Sequence, residues 1–226
     1  MCRGFYKKVG TKTTGRASVA PLMGSGSVFI EGEYVAPEEA KISVFDPGFT
    51  RGDAVYDTVS VWKGQFFRLS DHIERFFRSC ERGRLVCPHA PDEVEEILAQ
   101  CVHRGGLESA YVQMIVTRGP FPSLERRDPR LCENRFIALA VPYIWVVPPE
   151  RHGEGIDLAI ASTRRTPVEA IDPRMKNFNW LDLQGGLFEA LDRGADTVVL
   201  CTTSGLLAEG PGFNLFLISD GKLFTP

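Results

Sequence analysis

Short runs that alternate apolar and polar residues predict β-structure early in the chain. The run SVFIEGEYV (27–35) has its turn at Glu31 and Gly32, and VYDTVSVWKGQFFRL (55–69) has its turn at Lys63 and Gly64. Both patterns predict hairpins, because a short turn containing glycine joins adjacent antiparallel strands. A third run, KISVF (41–45), predicts a further strand.

The hydrophobic period then changes from two to 3.6 residues, which predicts two amphipathic helices. In DHIERFFRSCER (71–82) the apolar residues recur every third or fourth position, and Ser70 or Asp71 can cap the helix. The segment DEVEEILAQCVHRGG (92–106) repeats the pattern and ends at two glycines, a common helix terminator.

The remaining pattern predicts strands again, followed by a mixed segment. Two long apolar runs, AYVQMIVTRG (110–119) and RFIALAVPYIWVV (135–147), flank a long loop rich in proline and charge. After the linker-like PPERHGEG come a strand (IDLAIAS), a helix (LDLQGGLFEALDRGA), a strand (DTVVLCT) and a hairpin (FNLFLISDGKLFT) with its turn at Asp220 and Gly221.

This order of elements predicts an α+β fold in two domains. We expect a basic flexible tail (1–26), a small α+β domain (27–147), a linker (148–155) and the first part of a second, larger domain (156–226). The tail has no acidic residue, so its composition leaves a mitochondrial targeting segment open beside the simpler reading of a disordered tail.

Composition excludes several function classes. A net charge of −3 gives no reason to expect a nucleic-acid partner or an anionic membrane, and no apolar run is long enough to span a bilayer. The six cysteines and four histidines follow no zinc-ligand spacing, so we expect no metal site. Scattered cysteines favour a reducing compartment, and we expect a cytoplasmic protein.

Three residues suggest chemistry, although each has an ordinary alternative. Lys176 lies in the apolar stretch PRMKNFNWLDL (173–183), where burial would lower the pKa of its amine and make it nucleophilic; a lysine with only its stem covered is the alternative. Glu209 precedes a glycine-rich turn and can hold a proton on a pyridine nitrogen, or be a loop glutamate. Arg75 can bind a phosphate, or be a solvated residue on a helix surface.

The order of these residues resembles that of a known family. A helical Arg75, then Lys176, then AEGPGFN around Glu209 resemble the class IV pyridoxal-phosphate aminotransferases, a group of fold type IV. The segments YDTVSVWKGQFFRL, VPYIW and KNFNW are most similar to the (R)-selective amine transaminases, with branched-chain aminotransferases as the next resemblance. The resemblance implies a two-domain fold like that of D-amino acid aminotransferase, with the second domain incomplete in this chain.

Residue by residue, the resemblance implies a cofactor site for pyridoxal 5'-phosphate. Lys176 matches the catalytic lysine that holds the cofactor as an internal aldimine and moves the substrate proton. Glu209 matches the carboxylate at the pyridine nitrogen, and Arg75 matches the arginine at the phosphate. The motif after Glu209 adds three further cofactor-binding positions, which are Gly212, Phe213 and Asn214.

The resemblance also implies a substrate pocket built from two strands and a loop. The strand positions are Tyr56, Thr58, Ser60, Tyr111, Gln113 and Tyr143. The loop carries Arg126, Arg127 and Arg130, from which some relatives bring an arginine to a substrate carboxylate.

The resemblance implies a transaminase that moves an amino group from an amine or a branched-chain amino acid to a keto acid, acting as a homodimer. Two alternatives stay open: a lyase similar to aminodeoxychorismate lyase, and a cofactor-free paralogue without activity. Family members continue past this chain with glycine-containing loops that complete the phosphate site. We therefore expect a C-terminally truncated chain in which Arg75 is the only family phosphate ligand.

Overall fold

The computed structural model describes residues 25–123 and 125–226, and every structural statement below concerns these residues. The tail expected at 1–26 lies outside them except for its last two residues. Strands β1 (Ser27–Ile30) and β2 (Glu33–Val35) form the first predicted hairpin. Glu31 and Gly32 have φ values of 52° and 84°, as a tight hairpin turn requires.

The predicted strand at 41–45 is wrong. This segment is irregular and leads into a short helix, α1 (Pro47–Arg51). Its polar groups bond locally: the Phe45 N–H donates to Ser43 Oγ, and Asp46 accepts the Gly48 N–H and caps α1. Alternation alone did not reveal these local bonds, which compete with a strand ladder.

The second predicted hairpin consists of β3 (Ala54–Trp62) and β4 (Gln65–Phe66). The two predicted helices follow as α2 (Leu69–Arg82) and α3 (Pro91–Arg104). The predicted cap of α2 is wrong, because the helix begins at Leu69 and Arg68 precedes it with a φ of 54° and no side-chain cap. Ser70 and Asp71 therefore lie inside its first turn.

Strands β5 (Ala110–Thr117) and β6 (Arg135–Pro142) complete an antiparallel sheet of six strands in the order β2-β1-β6-β5-β3-β4. Side chains at alternate positions of β3 and β5 pack with α2 and α3 into the main core, which includes Val59, Phe76, Leu98 and Met114. Because successive strand residues point to opposite faces, the intervening residues, such as Tyr56 and Thr58, lie on the other face of the sheet.

The second half of the chain forms a smaller core. Strands β7 (Leu158–Arg164) and β8 (Thr197–Cys201) pair in parallel, and α4 (Leu181–Asp192) connects them and packs on both. A Cβ added to Gly186 of α4 would lie 2.6 Å from Leu200 Cδ1, so the helix approaches the strands closely at this glycine. The predicted final hairpin is present as β9 (Leu217–Ser219) and β10 (Lys222–Phe224).

The loop between β5 and β6 contains one short 3-10 helix (Pro129–Leu131), and the predicted linker contains another (Pro149–Arg151). The boundaries of the two expected domains stay a prediction. Among the described helices, none has the length and apolar character needed to cross a membrane.

Candidate active site

A cleft of about 530 Å³ lies where the sheet, α2 and the two loops of the second half meet. The loop 165–180 joins β7 to α4, and the loop 209–214 follows β8. The cleft is lined by all six predicted cofactor residues and by three of the predicted pocket residues: Lys176, Arg75, Glu209, Gly212, Phe213, Asn214, Tyr56, Thr58 and Tyr111. Residues far apart in the sequence therefore share one cavity.

Contacts with the first half of the chain hold the backbone of Lys176. Its carbonyl oxygen accepts the Tyr56 N–H at 3.0 Å, and its own N–H donates to Ser79 Oγ at 3.2 Å. The neighbouring Asn177 forms an isolated β-bridge with Val55. The start of β3 and one turn of α2 therefore fix the position of the lysine, although it lies in a loop.

The amine of Lys176 lies in partly desolvated surroundings. Its Nζ is 4.6 Å from the centroid of the Tyr56 ring. Burial lowers the pKa of this amine below its ordinary value; the nearby charges of Asp57 and Glu209 act in the opposite direction, and that of Arg75 adds to the lowering. The direction agrees with the interpretation from the sequence, but the ring above the amine comes from β3 and not from the residues beside Lys176.

Arg75 is held by a buried carboxylate. Its Nε and Nη2 donate to the two oxygens of Asp57 at 2.6 and 2.8 Å, and His72 Nδ1 lies 2.8 Å from the same group. Burial alone would raise the pKa of Asp57, yet the hydrogen bonds from Arg75 and His72 outweigh it, so this pKa is lowered. Of the three guanidinium nitrogens of Arg75, only Nη1 makes no hydrogen bond to Asp57.

Tyr56 is the aromatic centre of the cleft. Its ring stacks on that of Phe178 at a centroid distance of 4.4 Å. Burial raises the pKa of its hydroxyl to about 12, against a smaller lowering by a hydrogen bond with Trp180. Tyr56 therefore stays neutral and can act as a hydrogen-bonding group near neutral pH.

Glu209 is fixed by a backbone hydrogen bond to β8 and by a neighbouring arginine. Its carbonyl oxygen accepts the Leu200 N–H at 3.0 Å, and its carboxylate lies 3.2 Å from Arg165 Nη2. Arg165 Nη1 in turn donates to Asp182 at 2.5 Å. A chain of alternating charges therefore connects the start of α4 to the cleft.

The turn after Glu209 depends on a glycine. A Cβ added to Gly210 would lie 2.1 Å from the Phe213 ring, and the backbones of these two residues form a β-bridge. Only glycine allows the ring to fold over the turn in this way. Glu209 and Asn214, which flank this turn, both line the cleft.

Several predicted pocket residues lie beside the cleft instead of lining it. Gln113 reaches the hydroxyls of Thr58 and Tyr111 at 3.5 and 3.3 Å, so it lies beside these cleft residues on the same face of the sheet. Ser60 is the β-ladder partner of Tyr111, and the ring of Tyr143 packs on Trp145.

The three predicted loop arginines are also outside the described lining. Arg130 binds Asp128 within its own loop and is 79% exposed, and the Arg126 N–H bonds to Ser123. A substrate role for Arg126, Arg127 and Arg130 stays a prediction. Two other arginines, Arg165 and Arg174, line the cleft and were missed.

The sequence interpretation also missed the residues that support the lining: Asp57, His72 and Ser79. One signal was available for Asp57. It occupies a core-facing position in the alternation of β3, between Val55 and Val59, and a carboxylate at such a position needs a buried partner.

The cleft brings together a partly buried lysine, a carboxylate and an arginine. Comparisons with known proteins identify the class of enzyme. The family model of the class IV aminotransferases matches residues 54–226. The putative branched-chain-amino-acid aminotransferase of Methanocaldococcus jannaschii is 31% identical over 200 residues, which cover 88% of this chain and 67% of that protein. The D-alanine aminotransferase of Staphylococcus aureus is 34% identical over 212 residues, which cover 88% of this chain and 68% of that protein.

The solved structures agree with this identification. The branched-chain aminotransferase of Thermoproteus uzoniensis, solved with norvaline, has a TM-score of 0.79 and 28% identity, and the match covers 90% of this chain and 68% of that one. Another branched-chain aminotransferase was solved with pyridoxamine 5'-phosphate. The chain belongs to the class IV aminotransferases, whose cofactor is pyridoxal phosphate. The chain spans about two thirds of the length of the Methanocaldococcus jannaschii, Staphylococcus aureus and Thermoproteus uzoniensis proteins.

The donor set of the cleft fits this cofactor. An amine with a lowered pKa suits an aldehyde, a carboxylate suits a protonated pyridine nitrogen, and a guanidinium suits a phosphate. Lys176, Glu209 and Arg75 supply these three groups in one cavity. The cleft carries two more guanidinium groups, on Arg165 and Arg174, and all three arginines are paired with a carboxylate.

Proposed function

We propose that the cleft around Lys176 is the site of amino-group transfer between an amine or amino acid and a keto acid. The observation that supports this best is the meeting of three groups in one cavity: the amine of Lys176, whose pKa burial lowers, the carboxylate of Glu209 and the guanidinium of Arg75. Lys176 would hold the aldehyde of pyridoxal phosphate, Glu209 its ring nitrogen and Arg75 its phosphate.

Each of these cleft residues would have a separate role in the reaction. With a donor in place, the amine of Lys176 would take the proton from the donor Cα carbon and hold it. Glu209 would keep a proton on the ring nitrogen of the cofactor. The chemistry that the bound cofactor supplies is an electron sink for the charge left on Cα. The Tyr56 ring lies 4.6 Å from the amine and would limit the access of water.

The donor is proposed from the character of the cleft wall. Thr58 and Tyr111 present uncharged hydroxyls, 3.3 Å apart, and Tyr56 presents an aromatic ring. This wall suits a donor with an apolar side chain, such as a branched-chain amino acid or an arylalkyl amine. The branched-chain aminotransferases among the relatives support the first choice.

A donor panel tests this proposal. We expect L-leucine to be used with a 2-oxo acid acceptor, and (R)-1-phenylethylamine and D-alanine define the alternatives. Formation of the keto product from the donor, measured by chromatography, should require the acceptor. Release of pyruvate from 4-amino-4-deoxychorismate without any acceptor would instead identify a lyase, and no turnover of any donor would contradict the proposal.

Replacing Glu209 with glutamine is expected to lower kcat on the order of 100-fold, because the neutral amide no longer keeps the ring nitrogen protonated. The measurement is steady-state transamination together with the absorbance spectrum of the bound cofactor. Glu169→Gln is the matched control, since Glu169 is exposed and lies outside the cleft lining. An unchanged kcat for Glu209→Gln would remove this carboxylate from the mechanism.

We further propose a homodimer in the cytoplasm. A dimer is implied by the family resemblance, and Cys80 and Cys101, which are buried and free in the described part of the chain, suit a reducing compartment. Light scattering of the purified protein tests the dimer.

A further inference from the structure

Ser79 links the two parts of the candidate site through hydrogen bonds. Its side chain is fully buried in α2. The Oγ donates to the carbonyl oxygen of Arg75 at 3.0 Å and accepts the N–H of Lys176 at 3.2 Å. One hydroxyl therefore joins the helix that carries the candidate phosphate ligand to the backbone of the candidate catalytic lysine.

We propose that Ser79 is a positioning residue for Lys176, which acts by holding the lysine backbone so that its amine lies over the Tyr56 ring. This inference rests on the proposed function of Lys176. Ser79 does not line the cleft, so its role is to place another residue and not to contact substrate.

The loop position of Lys176 makes such a residue necessary. A lysine inside a helix or strand has its backbone fixed by the element, whereas Lys176 lies in an irregular segment between β7 and α4. An N–H without a partner in a partly buried loop is costly, and a loop without fixed bonds can shift. The Tyr56 N–H holds one side of the Lys176 peptide, and Ser79 holds the other.

The same end of α2 holds the loop at two further points. Arg82 Nη1 binds Asp172 at 2.9 Å. A Cβ added to Gly83 would lie 3.2 Å from Met175 Sδ, so the loop packs directly on this glycine. These contacts remain when the Ser79 hydroxyl is removed, so the Ser79→Ala variant is expected to fold while the lysine itself loses one anchor.

The environment of the amine provides a readout of its position. The groups that face it are Tyr56 and Asp57 from β3, Arg75 from α2, and Glu209 from the loop after β8. If the lysine moves away from the Tyr56 ring and towards solvent, burial decreases and the pKa of the amine rises towards its ordinary value. A loss of stability alone, with the loop in place, leaves this pKa unchanged.

The experiment compares Ser79→Ala with Ser70→Ala, an exposed serine on the same helix. Cofactor-free protein is labelled with trace acetic anhydride at a series of pH values, and mass spectrometry measures the acetylation of Lys176. We expect the midpoint of labelling to shift to higher pH for Ser79→Ala only. In the loaded enzyme we expect kcat to fall by roughly 10- to 100-fold with little change in KM, as for a misplaced reacting group.

The outcomes separate this inference from the proposed function. Activity that survives Lys176→Ala overturns both. An inactive Lys176→Ala together with a Ser79→Ala variant that labels and turns over like the wild type overturns only the role of Ser79. If Ser79→Ala does not fold, Ser79→Cys keeps a side chain of similar shape with a weaker hydrogen bond, and it must show the same direction of shift.

Discussion

Replacement of Lys176 with alanine is expected to abolish transamination and to remove the visible absorbance of bound pyridoxal phosphate. The substitution removes both the amine that would hold the cofactor aldehyde and the base that would move the Cα proton. A positioned general base alone contributes about 10²- to 10⁴-fold, so the fall in kcat should be at least about 10³-fold. Absorbance after gel filtration and steady-state kinetics with the preferred donor measure the two effects.

A lysine outside the site supplies the control. Lys222 is exposed in β10, and Lys222→Ala should keep both the absorbance and the activity. Fluorescence-detected urea unfolding of Lys176→Ala should resemble that of the wild type, because the backbone bonds of Lys176 to Tyr56 and Ser79 do not need its side chain. Turnover that persists in Lys176→Ala would contradict the proposed function.

The elements that depend on one repeating pattern were predictable from the sequence. The alternation in β3 and the 3.6-residue period in α2 each reflect burial of one face against the same core, and both predictions are confirmed. The segment 41–45 alternates as well, but Ser43 and Asp46 bind local N–H groups there, and no strand forms. Periodicity records which side chains could be buried and does not record competing local hydrogen bonds.

The principal residues that line the cleft were predicted from their order along the chain, since Lys176, Glu209 and Arg75 each have an ordinary alternative when taken singly. Lys176 has apolar neighbours in the sequence, and Glu209 precedes two glycines, of which Gly210 is required by the ring of Phe213. The supporting residues could not be found in this way. Ser79 and Arg165 act through contacts made across the fold, and their own sequence surroundings resemble those of any helix or strand end.

The role of Asp57, the most buried charged residue of the site, could not be predicted from its sequence surroundings either. Its importance depends on the pairing of β3 with α2, which places Arg75 and His72 within hydrogen-bonding distance of one carboxylate. The side chain of Asp57 is fully buried, whereas that of Arg75 is 46% exposed. The carboxylate therefore depends on its partners more than the guanidinium does.

Replacement of Asp57 with asparagine is expected to lower the free energy of unfolding by roughly 2–3 kcal/mol at pH 7, since it leaves the Arg75 and His72 donors facing an amide. The partial exposure of Arg75 keeps the loss below that for a fully buried pair. Urea unfolding measures it. Asp71→Asn is the matched control, because Asp71 pairs with Arg68 on the protein surface at the start of α2. This variant should show no measurable change in unfolding free energy.

The pH dependence gives this prediction its sharpest test. The pKa of Asp57 is lower in the folded chain than its unfolded value of about 3.9, so its contribution to stability is present above that value and is lost as the pH falls through the folded pKa. The difference in unfolding free energy between the wild type and Asp57→Asn should therefore be near its full value at about pH 5 and should shrink as the pH falls below the unfolded pKa. A difference that stays constant below pH 4 would mean that the ionised carboxylate is not what holds Arg75 and His72.

The Asp57→Asn substitution should also weaken the binding of pyridoxal phosphate, since the guanidinium that would meet the phosphate loses the group that orients it.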